Sequence, residues 1–204
     1  MAEPAYPLKF PERTGERAWP AQGHWTYDDY RLLPEDGRRF EVIRGHLYVS
    51  AAPSVEHQSA VGELYLRFKL FLRENDLGNA FVAPLDILLP REIASPVQSD
   101  LVVFLKENKV PSRAPHVRGV PDLLAEVLSP STRRLDTETK LPAYRDAGVP
   151  EVWLADPLSR QITVHVLSED GARYVELCRG GVGEAVFSRV LPGLQIEVDE
   201  IFLP

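Results

Sequence analysis

The sequence predicts one α/β domain, and three observations carry that prediction. From Ser54 to about Asn75, apolar residues Val61, Leu64, Tyr65, Phe68 and Leu72 recur at three- and four-residue steps, the spacing of a helix with one face on a sheet. Strand-like runs follow at about 80–89, 100–105 and 121–128. A second helical stretch, roughly 132–147, stops at Gly148 before EVWLAD resumes a strand at 151–156. The order is therefore helix, three strands, helix, strand, and 204 residues at 44% hydrophobic suffice for one core.

Around that centre the chain reads in order as follows. Residues 1–24 form a flexible extension, because Pro4, Pro7, Pro11 and Pro20 interrupt helix and strand alike. The single domain then spans 25–204. Thr26 opens a short helix with Asp28 and Asp29 at the positive end of its dipole. FEVI at 40–43 and HLYV at 46–49 flank Arg44-Gly45, which marks a tight hairpin before the core. Pro142 lies inside the second helix and must kink or divide it. After EVWLAD the chain alternates QITVHVL, an SEDGA turn, RYVELC, a glycine-rich turn, EAVFSRV and GLQIEV, a β-rich C-terminal extension. GGVGE at 180–184 lacks the strand-to-helix setting of a phosphate cradle and reads as a turn.

Composition excludes several functions. No run approaches the roughly 18 apolar residues of a membrane helix, and MAEPAYPLKF has no signal-peptide layout, so a cytoplasmic protein with no membrane partner is expected. Cys178 has no second cysteine to pair with and reads as a buried strand thiol. With 30 acids against 23 bases, net charge −7 opposes tight sequence-independent binding of nucleic acid, so any DNA contact must be local and metal-dependent. HExxH, GxSxG and P-loop patterns are absent. Ser129 and Ser131 in LSPST supply an N-cap more simply than a nucleophile.

Chemistry concentrates in two acids and a lysine. Asp100 opens SDLVVF and Glu126 sits in PDLLAEVLSPST, so both carboxylates project from apolar strands and need a cation or hydrogen-bond donors. Oxygen ligands for Mg²⁺ and an ammonium beside the phosphate are what metal-assisted phosphodiester hydrolysis uses. Asp136, Lys140 and Tyr144 are spaced four apart, one stripe of the second helix provided Pro142 does not rotate it; a surface Asp–Lys pair is the plainer alternative. A long lysine stem can carry its ammonium back over the strand. Glu41 either joins this group or faces solvent on the hairpin. His57, at the start of the long helix, either orients a water or carboxylate or serves the helix start. Arg38, Arg39, Arg44, Arg133 and Arg134 either position phosphates or are solvated surface charges.

FEVIRGHLYVSAAPSVEHQ, SDLVVF, GVPDLLAEVLSPSTRRLD, the spaced Lys140 and Tyr144, and AGVPEVWLADP occur in that order from about Phe40 to Pro157. In these phrases the chain resembles the bacterial Uma-two family of restriction-endonuclease-like proteins, within the PD-(D/E)XK nuclease superfamily. The resemblance implies a restriction-endonuclease-like core and an Mg²⁺-dependent endonuclease, with Mn²⁺ as a substitute, hydrolysing phosphodiester bonds of DNA. It places Glu41, Asp100, Glu126 and Lys140 at the active-site positions, with Asp100, Glu126 and Glu41 as metal ligands and His57 and Tyr144 as auxiliaries. Two positions depart from the pattern: Ser99 stands where proline commonly precedes the aspartate, and Leu128 where the ordinary motif has its lysine. A non-catalytic module of the same fold, binding nucleic acid or protein, is the competing reading, and the acidic balance favours it. The strand-rich tail leaves a homodimer open. For the metal-free protein, clustered acids predict a raised pKa for Asp100 or Glu126 and no loss of stability in Asp100→Asn.

Overall fold

The structure is a computed structural model that describes residues 18–202 apart from 94, 109 and 112. Thr26 caps α1 (Tyr27–Tyr30) in a reciprocal capping box with Asp29. The hairpin strands β1 (Arg39–Ile43) and β2 (His46–Ser50) pair antiparallel around Arg44 (φ 51°) and Gly45 (φ 72°). Two central residues at positive φ form the short turn whose twist suits a hairpin. Glycine is required at 45 for a second reason: a Cβ there would lie 2.4 Å from the Gly23 carbonyl oxygen. Ser54 caps α2 (Val55–Glu74) by accepting the His57 N–H, and the expected apolar stripe is its buried face.

The central sheet contains β3 (Gly78–Val82), β5 (Leu101–Leu105), β7 (Leu123–Val127), β8 (Glu151–Asp156), β9 (Gln161–Leu167) and β10 (Tyr174–Gly180). From one edge to the other the strand order is β10, β9, β8, β7, β5, β3. All neighbours are antiparallel except β7 and β8, which are parallel and joined by a helical crossover. The expected order of helix, three-strand meander, helix and strand is thus the observed core. The strand expected over 80–89 is two: β3 ends at Val82, Pro84 has no N–H to continue the ladder, and β4 (Ile87–Leu88) pairs parallel with β6 (Val117–Arg118) away from the main sheet.

The second helix is divided in type. Residues 135–140 form a π-helical segment and α3 (Leu141–Ala147) continues it, ending at Gly148 with φ 89°. Pro142 directly follows the π-helical segment, the kind of wide turn that accommodates a residue with no N–H inside a helix. The wider turn before it lets Leu141 donate to Asp136 O instead.

Each face of the sheet is covered. Leu101, Val103, Ala125, Val127 and Trp153 pack under Leu64, Phe68 and Leu72 of α2. Val102, Leu124, Leu128, Val152 and Leu154 pack against Ala143 and Tyr144 of α3 and Ile43 of the hairpin. A smaller cluster of Trp25, Phe40, Val42 and Leu47 lies outside the hairpin. Residues 1–17 of the expected extension lie outside the described residues. Nearer the domain, Trp19 stacks on Trp25 with ring centroids 5.5 Å apart, and the Gln22 amide bonds both backbone groups of Leu47. Cys178 is half-buried rather than buried, because β10 is the outer strand. No helix among the described residues is long and apolar enough to cross a membrane.

The C-terminal extension is fastened by one buried acid. The ribbon of β11 (Ala185–Phe187) and β12 (Gln195–Glu197) adds Val186 and Ile196 to the α2 side of the core. Between it and the sheet, Glu151 accepts hydrogen bonds from Trp153 Nε1 (2.7 Å), Ser188 Oγ (2.6 Å), Arg189 N (2.7 Å) and Val190 N (3.0 Å). Glu151→Ala strands all four donors in a dry site. Urea unfolding should show a loss of about 3 kcal/mol or more. Unchanged stability would mean that water replaces the carboxylate without cost.

Candidate functional site

The site forms where β5 begins and β7 ends. Asp100 precedes β5 and Glu126 is the penultimate residue of β7, so antiparallel pairing of Leu101 with Ala125 brings the two acids side by side. Glu126 accepts from the Asp100 N–H at 3.3 Å, and Asp100 accepts from the Val127 N–H at 2.9 Å. Ser99 locks this crossing: its hydroxyl lies 3.0 Å from Leu101 O and 2.9 Å from Ala125 O, and is placed to donate to either. A proline at 99 could make neither bond. Alternation along β1 sends Arg39, Glu41 and Ile43 to the sheet side and Phe40 and Val42 to the outer cluster. Glu41 is 0% exposed, so it does not face solvent. Its Oε1 accepts the Gln98 N–H at 2.8 Å.

Lys140 fills the centre. Its ammonium, 2% exposed as a residue, lies 3.1 Å from Glu41, 3.4 Å from Glu126 and 3.3 Å from Asp136. The stripe expected from four-residue spacing is complete, since the Tyr144 hydroxyl donates to the same Glu126 oxygen that Lys140 meets. Asp100 has its own partners: Arg39 Nη1 at 2.8 Å and His57 Nε2 at 3.2 Å. Glu41, Asp100, Glu126, Lys140, His57 and Tyr144 therefore meet in one cluster. The remaining arginines do not. Arg38 pairs with Asp36, Arg44 with Asp146, Arg133 with Asp156 and Arg134 with Glu138.

Two members were not placed in the site from sequence. Asp136 was visible as the residue four before Lys140, and Arg39 as the residue two before Glu41 on the same strand face. Each signal was present, but neither says that the group is buried among acids.

The two strand acids titrate in opposite directions. Burial opposes ionisation of Asp100, yet the His57 hydrogen bond and the charges of Arg39 and Lys140 outweigh it and hold the carboxyl well below the usual range. Burial pushes Glu126 up to about 8, with Asp100 and Asp136 adding to the rise and Lys140 opposing it. Asp136 is raised by burial too. Lys140 is itself held above its ordinary range: burial opposes the charge, but Glu126, Glu41 and Asp136 override it.

The donor set suits a hard divalent cation in chemistry more than in present arrangement. Asp100, Glu126 and Glu41 offer carboxylate oxygens, and Glu41 Oε2 is buried with no hydrogen-bond donor. Among the described residues, however, no three His, Cys, Asp or Glu side chains converge as a metal-binding group. The Lys140 ammonium provides the positive charge that Glu41, Glu126 and Asp136 share.

A family profile described as "Uma2: Putative restriction endonuclease" matches residues 27–199, which include every member of the cluster. The chain belongs to the Uma2 family. A crystal structure described as a putative nuclease belonging to DUF820, from Anabaena variabilis, is similar to this Uma2 chain with a TM-score of 0.73. It is 18% identical, and the match covers 87% of this chain and 97% of the other, a likeness of fold. A search of curated proteins found no match.

Proposed function

We propose that this Uma2 protein is an endonuclease that hydrolyses phosphodiester bonds of DNA with Mg²⁺, or Mn²⁺ in its place. The observation that supports this most is the convergence of Glu41, Asp100, Glu126 and Lys140 at one end of β5 and β7. Asp100 and Glu126, with the open oxygen of Glu41, would hold the cation. Bound there, it supplies Lewis-acid polarisation of the phosphoryl group and a more acidic water.

The chain's own groups set up the rest. Lys140 keeps its proton at Nζ, because three carboxylates hold its pKa high, so it acts as a fixed positive charge toward the developing negative charge and not as a base. Tyr144 and Lys140 together orient Glu126, and Arg39 and His57 orient Asp100. Arg39 has the most exposed side chain of the cluster, at 25%, but its guanidinium is turned inward: Nη1 bonds Asp100, and Nε and Nη2 are buried, so its charge holds Asp100 in place.

A second reading, a non-catalytic module of this fold, draws on one observation: the acids already have Lys140, Arg39 and His57 as partners. Cleavage of supercoiled plasmid, single-stranded DNA and RNA, with Mg²⁺, with Mn²⁺ and with chelator, separates the two. The parent should cleave DNA in metal and not in chelator, and Glu126→Gln should be at least about 100-fold slower. A parent no faster than Glu126→Gln on all of these substrates favours the module.

The same variant has a pH signature. Glu126 binds its proton more tightly folded than unfolded, so its contribution to stability falls as pH rises from its ordinary value near 4.5 to about 8. Glu126→Gln should flatten that slope in the metal-free protein. Parallel stability curves for the two proteins across this range would remove the assigned shift.

A further inference from the structure

Across β1 from the carboxylate cluster lies a cavity of about 530 Å³, lined by Trp25, Tyr27, Val42, Ser95, Arg91 and Arg118 among others. Strand alternation separates the two features, since Glu41 points to the cluster and Val42 to the cavity. Its size falls within the range of small-molecule sites. Tyr27 is fixed as a wall: its hydroxyl lies 3.0 Å from His116 Nδ1, the two rings meet edge to face, and Tyr30 stacks beside it with centroids 5.9 Å apart. The Arg118 guanidinium sits 5.9 Å from the centroid of the Tyr27 ring. Arg91 is exposed and held at φ 58°, a conformation that side-chain-bearing residues rarely adopt.

Position distinguishes these two arginines. Among the described residues neither Arg91 nor Arg118 has a carboxylate partner, which is also true of exposed Arg31, Arg73, Arg113 and Arg173, but Arg91 and Arg118 alone of these line one cavity. In a chain of net charge −7, two unpaired guanidinium groups beside aromatic walls suit a ligand that is both anionic and flat. We propose that this cavity binds one nucleotide of a nucleic-acid strand, its base against the Tyr27 side of the cavity and its phosphate on Arg91 and Arg118. Base stacking on aromatic side chains with arginine on the backbone is the usual chemistry of single-strand recognition. The role of the contact, holding a substrate strand beside the hairpin that carries Glu41, rests on the endonuclease reading; the binding itself does not.

The test is equilibrium titration of the full chain in chelator, where no cleavage occurs. The probes are deoxyadenosine monophosphate, deoxyadenosine, inorganic phosphate and a short single-stranded oligodeoxynucleotide. The monophosphate should bind more tightly than phosphate or nucleoside alone. Replacing both arginines by alanine should weaken oligonucleotide binding at least about tenfold and lower its salt slope by about 1 per arginine. Both side chains are exposed, so the variant should unfold with the parent's Tm. Tyr27→Ala should lose the preference for monophosphate over phosphate. Equal oligonucleotide affinity in parent and double variant overturns the proposal, as does phosphate binding as tightly as the monophosphate. Arginine-dependent binding without cleavage by the parent defeats the endonuclease reading alone, and cleavage without arginine-dependent binding defeats this one alone.

Discussion

Lys140→Ala should lose metal-dependent DNA cleavage by at least about 100-fold, the scale of removing one preorganised electrostatic stabiliser. It should also be the least stable of the site variants at neutral pH. Glu41, Glu126 and Asp136 share this ammonium at 3.1–3.4 Å, and breaking a buried pair by removing one partner costs about 3–5 kcal/mol. Lys140 is the main influence holding down the pKa values of both Glu126 and Asp136, which burial already raises, so its loss raises them further. An acid raised in the folded state penalises folding above its unfolded pKa. The variant's deficit should therefore shrink as pH falls toward the ordinary carboxylate range. Mg²⁺ should stabilise the variant more than the parent, since the divalent ion no longer competes with an ammonium. Thermal unfolding against pH, with and without Mg²⁺, beside plasmid cleavage, reads all three effects. Parental stability at neutral pH with parental cleavage would remove Lys140 from the site's chemistry. In that background Leu128→Lys tests whether position 128 can take over: Leu128 shares its strand face with Glu126, but it is buried among apolar groups, where added length costs packing.

The core was legible in the sequence because its signals are local. The stripe of Val61, Leu64, Phe68 and Leu72 follows from helical period, and Asp100 and Glu126 stand out as charges in otherwise apolar strands. Even the displaced lysine could be read, through four-residue spacing with Asp136 and Tyr144. What the spacing could not supply was how the charges divide among partners. That Arg39 and His57 take Asp100 while Lys140 and Tyr144 take Glu126 is set by where β1, α2 and the π-helical turn pack on the sheet. From sequence the two acids are equivalent, and in the folded chain their pKa values move apart. The wide turn itself was signalled only as a proline in the wrong place. The cavity draws on residues 25–27, held to the hairpin turn through Gly45, and on 91 and 118, brought together by the short pairing of β4 with β6, and no periodicity announces a two-residue strand.

Asp100→Asn tests that division directly, and here the structure reverses the expectation from clustered acids. Repulsion alone predicts that neutralising Asp100 leaves the metal-free protein as stable or more so. Instead Asp100 is the acceptor for Arg39, His57 and the Val127 N–H, and Arg39 Nε and Nη2 are already buried without an acceptor. Asparagine keeps a hydrogen bond but removes the charge, which should cost about 2 kcal/mol or more at neutral pH. The sign with pH is opposite to that of Glu126: a carboxyl held below its unfolded value contributes stability above that value, and the contribution is lost as pH falls through the folded one. The parent should therefore lose stability on acidification below about pH 4, the ordinary aspartate range, more steeply than the variant. Cleavage should fall at least about 100-fold, and stabilisation by Mg²⁺ should disappear with it. Equal stabilisation of parent and variant by Mg²⁺ would leave Asp100 as an anchor for Arg39 and His57 and remove it from the ligand set, while an asparagine variant more stable than the parent would mean that repulsion from Glu126 outweighs the three donors.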